Sequence, residues 1–198
     1  MVDFLAKLGL DKLERALIYG GVLALILAAL SGSIYFSHGW FAFVVRWLHV
    51  LSGVMWIGLL WYFNFVQIPS MPKIPDEQKP AVSKVIAPTA LFWFRHAALA
   101  TVGTGLLLAL MNGYLIEALT LQAGPSRLIG IGMWLGLVMA YNVWMIIWPN
   151  QQIALGMVEA DADAKKKAAR TAMITSRFNT MFSIPMLYFM VAAQNVAS

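Results

Sequence analysis

"WFAFVVRWLHVLSGVMWIGLLWYFNFV", Trp40 to Val66, carries only two strongly basic or imidazole side chains, Arg46 and His49. Roughly 20 predominantly apolar residues are enough to cross the hydrocarbon core of a bilayer. A run this long reads as a spanning helix. Lipid offers the backbone no hydrogen-bond partners, so the segment has to satisfy its own N–H and C=O groups.

Four further segments of similar character lie on either side: Ala16 to Phe36, Thr89 to Tyr114, Leu128 to Trp148 and Phe178 to Val196. The expected fold is therefore an all-α polytopic membrane protein, a bundle of five transmembrane helices forming one domain over residues 1–198. Composition agrees, since the chain is 61% hydrophobic and 12% charged with a mean hydropathy of +0.73, far from the usual soluble domain. The first span follows the mixed-charge "LDKLER" and lacks a small-residue cleavage site, so it reads as retained.

Basic residues set the orientation. Lys7, Lys12, Arg15, Lys73, Lys79, Lys84, Lys165, Lys166, Lys167, Arg170 and Arg177 fall on one side, and only Arg127 on the other. The basic side is cytoplasmic, which puts the N-terminus inside, residues 1–15 as a cytoplasmic interfacial segment and, with five spans, the C-terminus outside. The net charge of +5 thus follows membrane topology and anionic lipid, and no nucleic-acid partner is expected. Multi-pass insertion in a bacterial cytoplasmic (inner) membrane is the expected location.

Two loops differ in character. "PSMPKIPDEQKPAVSK" reads as an extended connector with little regular structure before Pro88. Residues 149–177 read as a cytoplasmic helical loop, because "VEADADAKKKAARTAMITSRF" places acids ahead of bases at helical spacing. Pro185 is expected to kink the last span.

The absence of cysteine excludes a covalently attached c-type haem, a thiolate-held iron–sulfur cluster, a zinc–thiolate site and any disulfide. Within the spans stand Arg46, His49, Arg95 and His96, and ionisable groups at membrane depth are costly enough to be functional candidates. A histidine hydrogen-bonded to a neighbouring helix is the plain alternative. Helical spacing puts Ser52, Gly53 and Trp56 on the face of His49, and Leu99, Ala100 and Gly103 on that of His96. Small neighbours beside an imidazole leave room for a flat macrocycle.

Neutral imidazole is a standard axial ligand of haem iron, and heme b needs no cysteine. Its two propionates call for cations, and the planar fork of arginine suits a carboxylate. Arg46 lies one turn from His49 on the same face and meets that need. Arg95 is about 100° around the helix from His96, so snorkelling toward the headgroups competes with a role at the cofactor.

His49 sits roughly 8 Å to the outer side of its span's midpoint, and His96 roughly 9 Å to the inner side. The sequence thus favours two haems at different depths over one shared iron. His38, in the outer loop, is a further candidate metal ligand. Because three histidines cannot supply two bis-imidazole sites, at least one position falls to another ligand such as methionine, or stays five-coordinate.

"RWLHVLSGVMWIGLLWYFNF", "WPNQQIALG" and "SRFNTMFSIPMLYFMVAA", with the weaker "FWFRHAALATVGTG", resemble the membrane-embedded N-terminal region of the bacterial membrane-bound urate oxidase (urate hydroxylase) family. The His-containing block is also similar to segments of the bacterial protoporphyrinogen-oxidase-like membrane family. The resemblance implies a redox-linked membrane module with His49 and His96 in matching blocks. Members of the urate oxidase family typically carry more spans and a C-terminal cytochrome c domain, neither of which is expected here.

The expected function is a b-type cytochrome transferring electrons in or across the membrane. The alternatives are a membrane subunit of a urate-oxidase-like oxidoreductase and a haem-free protein that handles a metal or solute. No catalytic residue is assigned. A redox protein or a quinone is the expected electron partner, with Asn64, Gln67, Asn142 and Gln151 either lining a small-molecule pocket or capping helices. The glycines of "VGTG" and "GIGMWLG" let helices approach closely and favour a homo-oligomer, or make room for the porphyrin.

Overall fold

The computed structural model describes residues 6–195, which form two units, one up to Phe43 and one from Val44 onward. Residues 1–5 of the expected interfacial segment and Val196 of the expected last span lie outside the described residues. Helices account for most of the described backbone, and no strand occurs among the described residues.

In the first unit, α1 runs from Leu13 to Leu30 and buries none of its residues. The second helix, α2, spans His38–Trp61 and passes from one unit into the other. The second unit continues with α3 (Ala87–Met111), the short α4 (Leu115–Leu119), α5 (Pro125–Tyr141) and α6 (Ala162–Asn195).

Three of these helices are longer than their α-helical parts. The chain widens into a π-helical turn at Tyr62–Gln67 after α2, at Val82–Ile86 before α3 and at Asn142–Ile147 after α5. In each case a proline stands two residues beyond the turn: Pro69, Pro88 and Pro149. Proline has no N–H for the carbonyl four residues back, and its ring clashes with that carbonyl. A π turn relieves the clash and re-pairs the freed groups, which is how spanning helices accommodate proline.

The same device reshapes the expected extended connector. Met71–Lys73 form a 3-10 turn, and the helix resumes at Lys79–Ala81, leaving a short break around residues 74–78. At that break the Lys79 ammonium pairs with the Asp76 carboxylate at 2.5 Å, and this hydrogen bond holds the Asp76 carboxyl below its ordinary pKa. Pro185, by contrast, sits within α6 without ending it.

Among the described residues, four helices are long and apolar enough to cross a membrane: Leu13–Leu30, His38–Lys73, Lys79–Met111 and Ser126–Ala154. The expected count of five is corrected to four. The segment from Phe178 is helical, but Asn179, Ser183, Gln194 and Asn195 dilute its apolar character. The first two are fully buried, at 0% exposure. Their side chains are spent on neighbouring helices, which a count of apolar length along one segment does not register. The parity argument for an outside C-terminus falls with the fifth span.

The core of the second unit gathers Trp56, Ile57, Leu60 and Phe63 from α2 and its π turn, Leu91, Phe94 and Ala98 from α3, Met139, Val143 and Ile147 from α5 and its π turn, and Met186 from α6. Phe63 and Phe94 meet edge-on with ring centroids 5.6 Å apart, a favoured aromatic geometry.

A layer of polar contacts crosses this core. Asn142 Nδ2 donates to Asn179 Oδ1 at 2.8 Å, and Asn179 Nδ2 donates to the Met139 carbonyl at 2.9 Å. Asn64 Nδ2 donates to Ser176 Oγ at 2.8 Å, and Trp61 Nε1 to Ser183 Oγ at 3.0 Å. These bonds fix how far α6 slides along α2 and α5. Apolar packing alone leaves that register loosely specified.

Replacing Asn179 by Ala removes two buried hydrogen bonds and is expected to cost about 1–3 kcal/mol. Thermal unfolding in detergent reads this, and an Asn142→Ala, Asn179→Ala double-mutant cycle should return a coupling energy clearly different from zero.

Candidate functional site

A cavity of about 660 Å³ lies in the second unit, walled by α2, α3, Tyr114, α5 and α6. Its size falls in the range of sites that take cofactor-sized ligands. Most of its lining is aliphatic or aromatic. Polar side chains enter near one end, where Arg46, His49 and Tyr114 stand with Gln194 and Asn195 of α6.

His49 is the chemically distinctive residue of this wall. Its Nδ1 lies 2.9 Å from the Thr101 carbonyl of α3, with the Thr104 hydroxyl oxygen 3.3 Å away. A carbonyl only accepts, so the proton resides on Nδ1 and Nε2 presents a bare lone pair. Histidines that bind metals are commonly held this way, with the non-ligating nitrogen donating to a backbone carbonyl that fixes the ring.

The ring fits because of one glycine. A Cβ on Gly105 would stand 2.9 Å from His49 Cε1 and 3.2 Å from Nδ1, tighter than side chains tolerate. Gly105 therefore forms a slot in α3 that admits the Cε1–Nδ1 side of the imidazole.

Arg46 lines the same cavity, one turn from His49. Its Nε is buried without a hydrogen-bond partner, and it forms no ion pair among the described residues. An unpaired guanidinium in apolar surroundings calls for an anionic ligand. Nearby, burial raises the pKa of the Tyr114 phenol while Arg46 pulls it down, and burial dominates. Tyr114 therefore stays protonated and able to donate.

The other residues expected at a cofactor divide between the cavity and elsewhere. Gly53 and Trp56 line it. Ser52 turns its hydroxyl back to the Leu48 carbonyl at 2.8 Å. Gly103 is exposed, and a Cβ there would meet nothing within 4 Å. His38 is the exposed first residue of α2 and belongs to the first unit.

His96 and Arg95 belong to a separate aromatic cluster. His96 Nδ1 lies 2.7 Å from the Phe92 carbonyl of its own helix, and its ring sits 4.2 Å from that of Phe92 and 5.8 Å from that of Trp144. The Arg95 guanidinium lies 3.8 Å above the Trp148 ring, a cation–π contact. His49 and His96 do not line a common cavity. No group of three or more His, Asp or Glu side chains able to hold a metal ion occurs among the described residues.

The sequence model of the urate oxidase N-terminal family matches residues 116–196. The matched stretch is less than half of the chain, so it establishes a similarity to that family over the C-terminal part. It contributes Ile129, Met133, Gly136, Met186 and Met190 to the cavity, whereas Arg46, His49 and Gly105 lie upstream of it. No curated protein and no solved structure matches the chain.

Thr101, Gly105, Tyr114 and the methionines enter the site from other helices, so spacing along α2 does not reveal them. Depth gives a partial signal for Gly105, since it lies in the outer half of its expected span, as His49 does. Gly105→Ala is expected to displace the imidazole and cost about 1–3 kcal/mol. Gly103→Ala, on open surface, should be neutral or stabilising by up to about 1 kcal/mol through helix propensity. Thermal melts of the two variants in detergent should move in opposite directions.

Proposed function

We propose that this chain is a membrane protein that binds heme b through His49 and serves electron transfer in the cytoplasmic membrane. The observation that carries the reading is the imidazole of His49, a lining residue of a cofactor-sized cavity whose Nδ1–H is anchored on Thr101, which leaves Nε2 as the unprotonated nitrogen. Gly105 supplies the cradle, and the unpartnered Arg46 supplies the charge that propionates require.

In this reading each residue has a limited task. His49 Nε2 donates its lone pair to iron, and the Thr101 carbonyl fixes the ring's rotation and its tautomer. Arg46 pairs with propionate carboxylates at the polar end of the cavity. Trp56, Ile57 and Leu137 keep water from the macrocycle and lower the local dielectric, which tunes the potential of a bound haem. Bound haem supplies a one-electron couple.

The lysine-rich side faces the cytoplasm, so the Arg46 end of the cavity faces the opposite leaflet. The exposed apolar surface of α1 lies against lipid. His96 also anchors its Nδ1 on a backbone carbonyl but does not line this cavity, and one haem per chain accounts for the cavity.

A second reading, a membrane subunit of a urate-oxidase-like oxidoreductase, is favoured by the family match, because the matched helices α5 and α6 form two walls of the same cavity.

Haem content per chain and the reduced-minus-oxidised spectrum test the proposal. The purified protein should show b-type absorption, His49→Ala should lose it and His96→Ala should keep it. Arg46→Gln should weaken haem retention about 10- to 100-fold, the worth of a charge-assisted hydrogen bond. Full haem occupancy in His49→Ala would sink the reading. Adding urate to the oxidised protein separates the two readings, since reduction of the haem by urate supports the second.

A further inference from the structure

We infer, resting on the haem reading above, that the coordination position opposite His49 is left open by the protein for a diatomic ligand of the dioxygen class. Besides His49, the cavity side chains with an atom known to bind haem iron are Met133, Met186, Met190 and Tyr114.

Two hydrogen bonds between α6 and the α2 segment measure depth: Trp61 to Ser183 and Asn64 to Ser176. α2 and α6 run antiparallel across these bonds. Counting from them at about 1.5 Å per residue brings His49 level with the stretch from Val191 to Asn195. Met186 therefore lies roughly 7–14 Å deeper than His49. It is also packed in the hydrophobic core, with 6% exposure. Side chains lean toward the N-terminus of their helix, which on α6 carries Met186 deeper still.

Met190 is nearer in depth but is committed to another contact. A Cβ on Gly132 would stand 3.4 Å from both its Cγ and its Cε, so the Met190 side chain lies along the backbone of α5. Met133 adjoins Gly132 and shares that depth, and its lean brings it nearer to His49 than the other two thioethers. It is the one methionine that a direct test has to address. Tyr114 stands beside Arg46 at the polar end of the cavity, where its hydroxyl can donate a hydrogen bond.

With Arg46 on the helix of His49 and engaged with the propionates, the donors that other parts of the chain bring to this end of the cavity are Tyr114 and Gln194. Donors and access around an unfilled axial position direct a haem toward binding an external ligand, whereas two strong axial ligands direct it toward electron transfer alone.

The test uses the full chain, loaded with haem and reduced with dithionite, with carbon monoxide as the probe. The wild type should give a high-spin reduced spectrum whose main absorption band shifts on adding carbon monoxide, and Met133→Leu should leave both spectra unchanged. A wild type that is low-spin and blind to carbon monoxide, with Met133→Leu becoming reactive, would overturn the inference and name Met133 as the sixth ligand while leaving the haem reading intact. A low-spin, unreactive wild type with Met133→Leu unchanged overturns it equally. A colourless wild type overturns the haem reading and this inference together.

Discussion

In an apolar solvent no polar group is rescued by water, and the architecture of this protein follows from that constraint. Each long segment is helical because only a helix pairs its own backbone within one stretch of chain. Where proline interrupts the pairing, as at Pro69, Pro88 and Pro149, the chain inserts a π turn rather than breaking. Polar side chains obey the same demand. Asn142, Asn179, Asn64, Ser176, Trp61 and Ser183 find one another across helices, and their bonds set the register of α6.

Among the described residues Arg46 Nε, Trp56 Nε1, Asn64 Oδ1, Gln67 Oε1 and Trp144 Nε1 are buried without a partner, and the Arg46–His49 pair stands out among them. His49 has one nitrogen anchored and one bare, and Arg46 carries a buried nitrogen without a partner. Both line the same cavity. The contrast with the other arginine–histidine pair is instructive. His96 and Arg95 have the same chemistry and a similar setting in sequence, yet one returns to its own helix backbone and the other lies over Trp148. Chemistry that looks equivalent along the chain is separated by what the neighbouring helices present.

Much of the architecture is legible in the sequence because hydropathy along a single segment reports its environment. The four long apolar helices and the helical character of α6 follow from apolar runs and charge order. The shortfall of the fifth segment in apolar length has the same origin. Asn179 and Ser183 lower the apolar character of their segment while making the bonds that dock it, and a one-dimensional average cannot distinguish a polar group facing water from one facing another helix. The expected extended connector failed because proline was read as a helix breaker, whereas these helices absorb it as a π turn.

Within the site, the sequence alone identified Arg46, His49, Ser52, Gly53 and Trp56 as one helical face, since spacing of three, four and seven residues is a property of the helix itself, and all of these but Ser52 line the cavity. Which carbonyl anchors His49, which glycine admits its ring and which of the two histidines meets a cavity were decided only by the tertiary structure. Those facts depend on the relative depth and rotation of separate helices. That relation is set by contacts between residues far apart in the chain, such as His49 with Thr101 and Gly132 with Met190, and no local pattern encodes it.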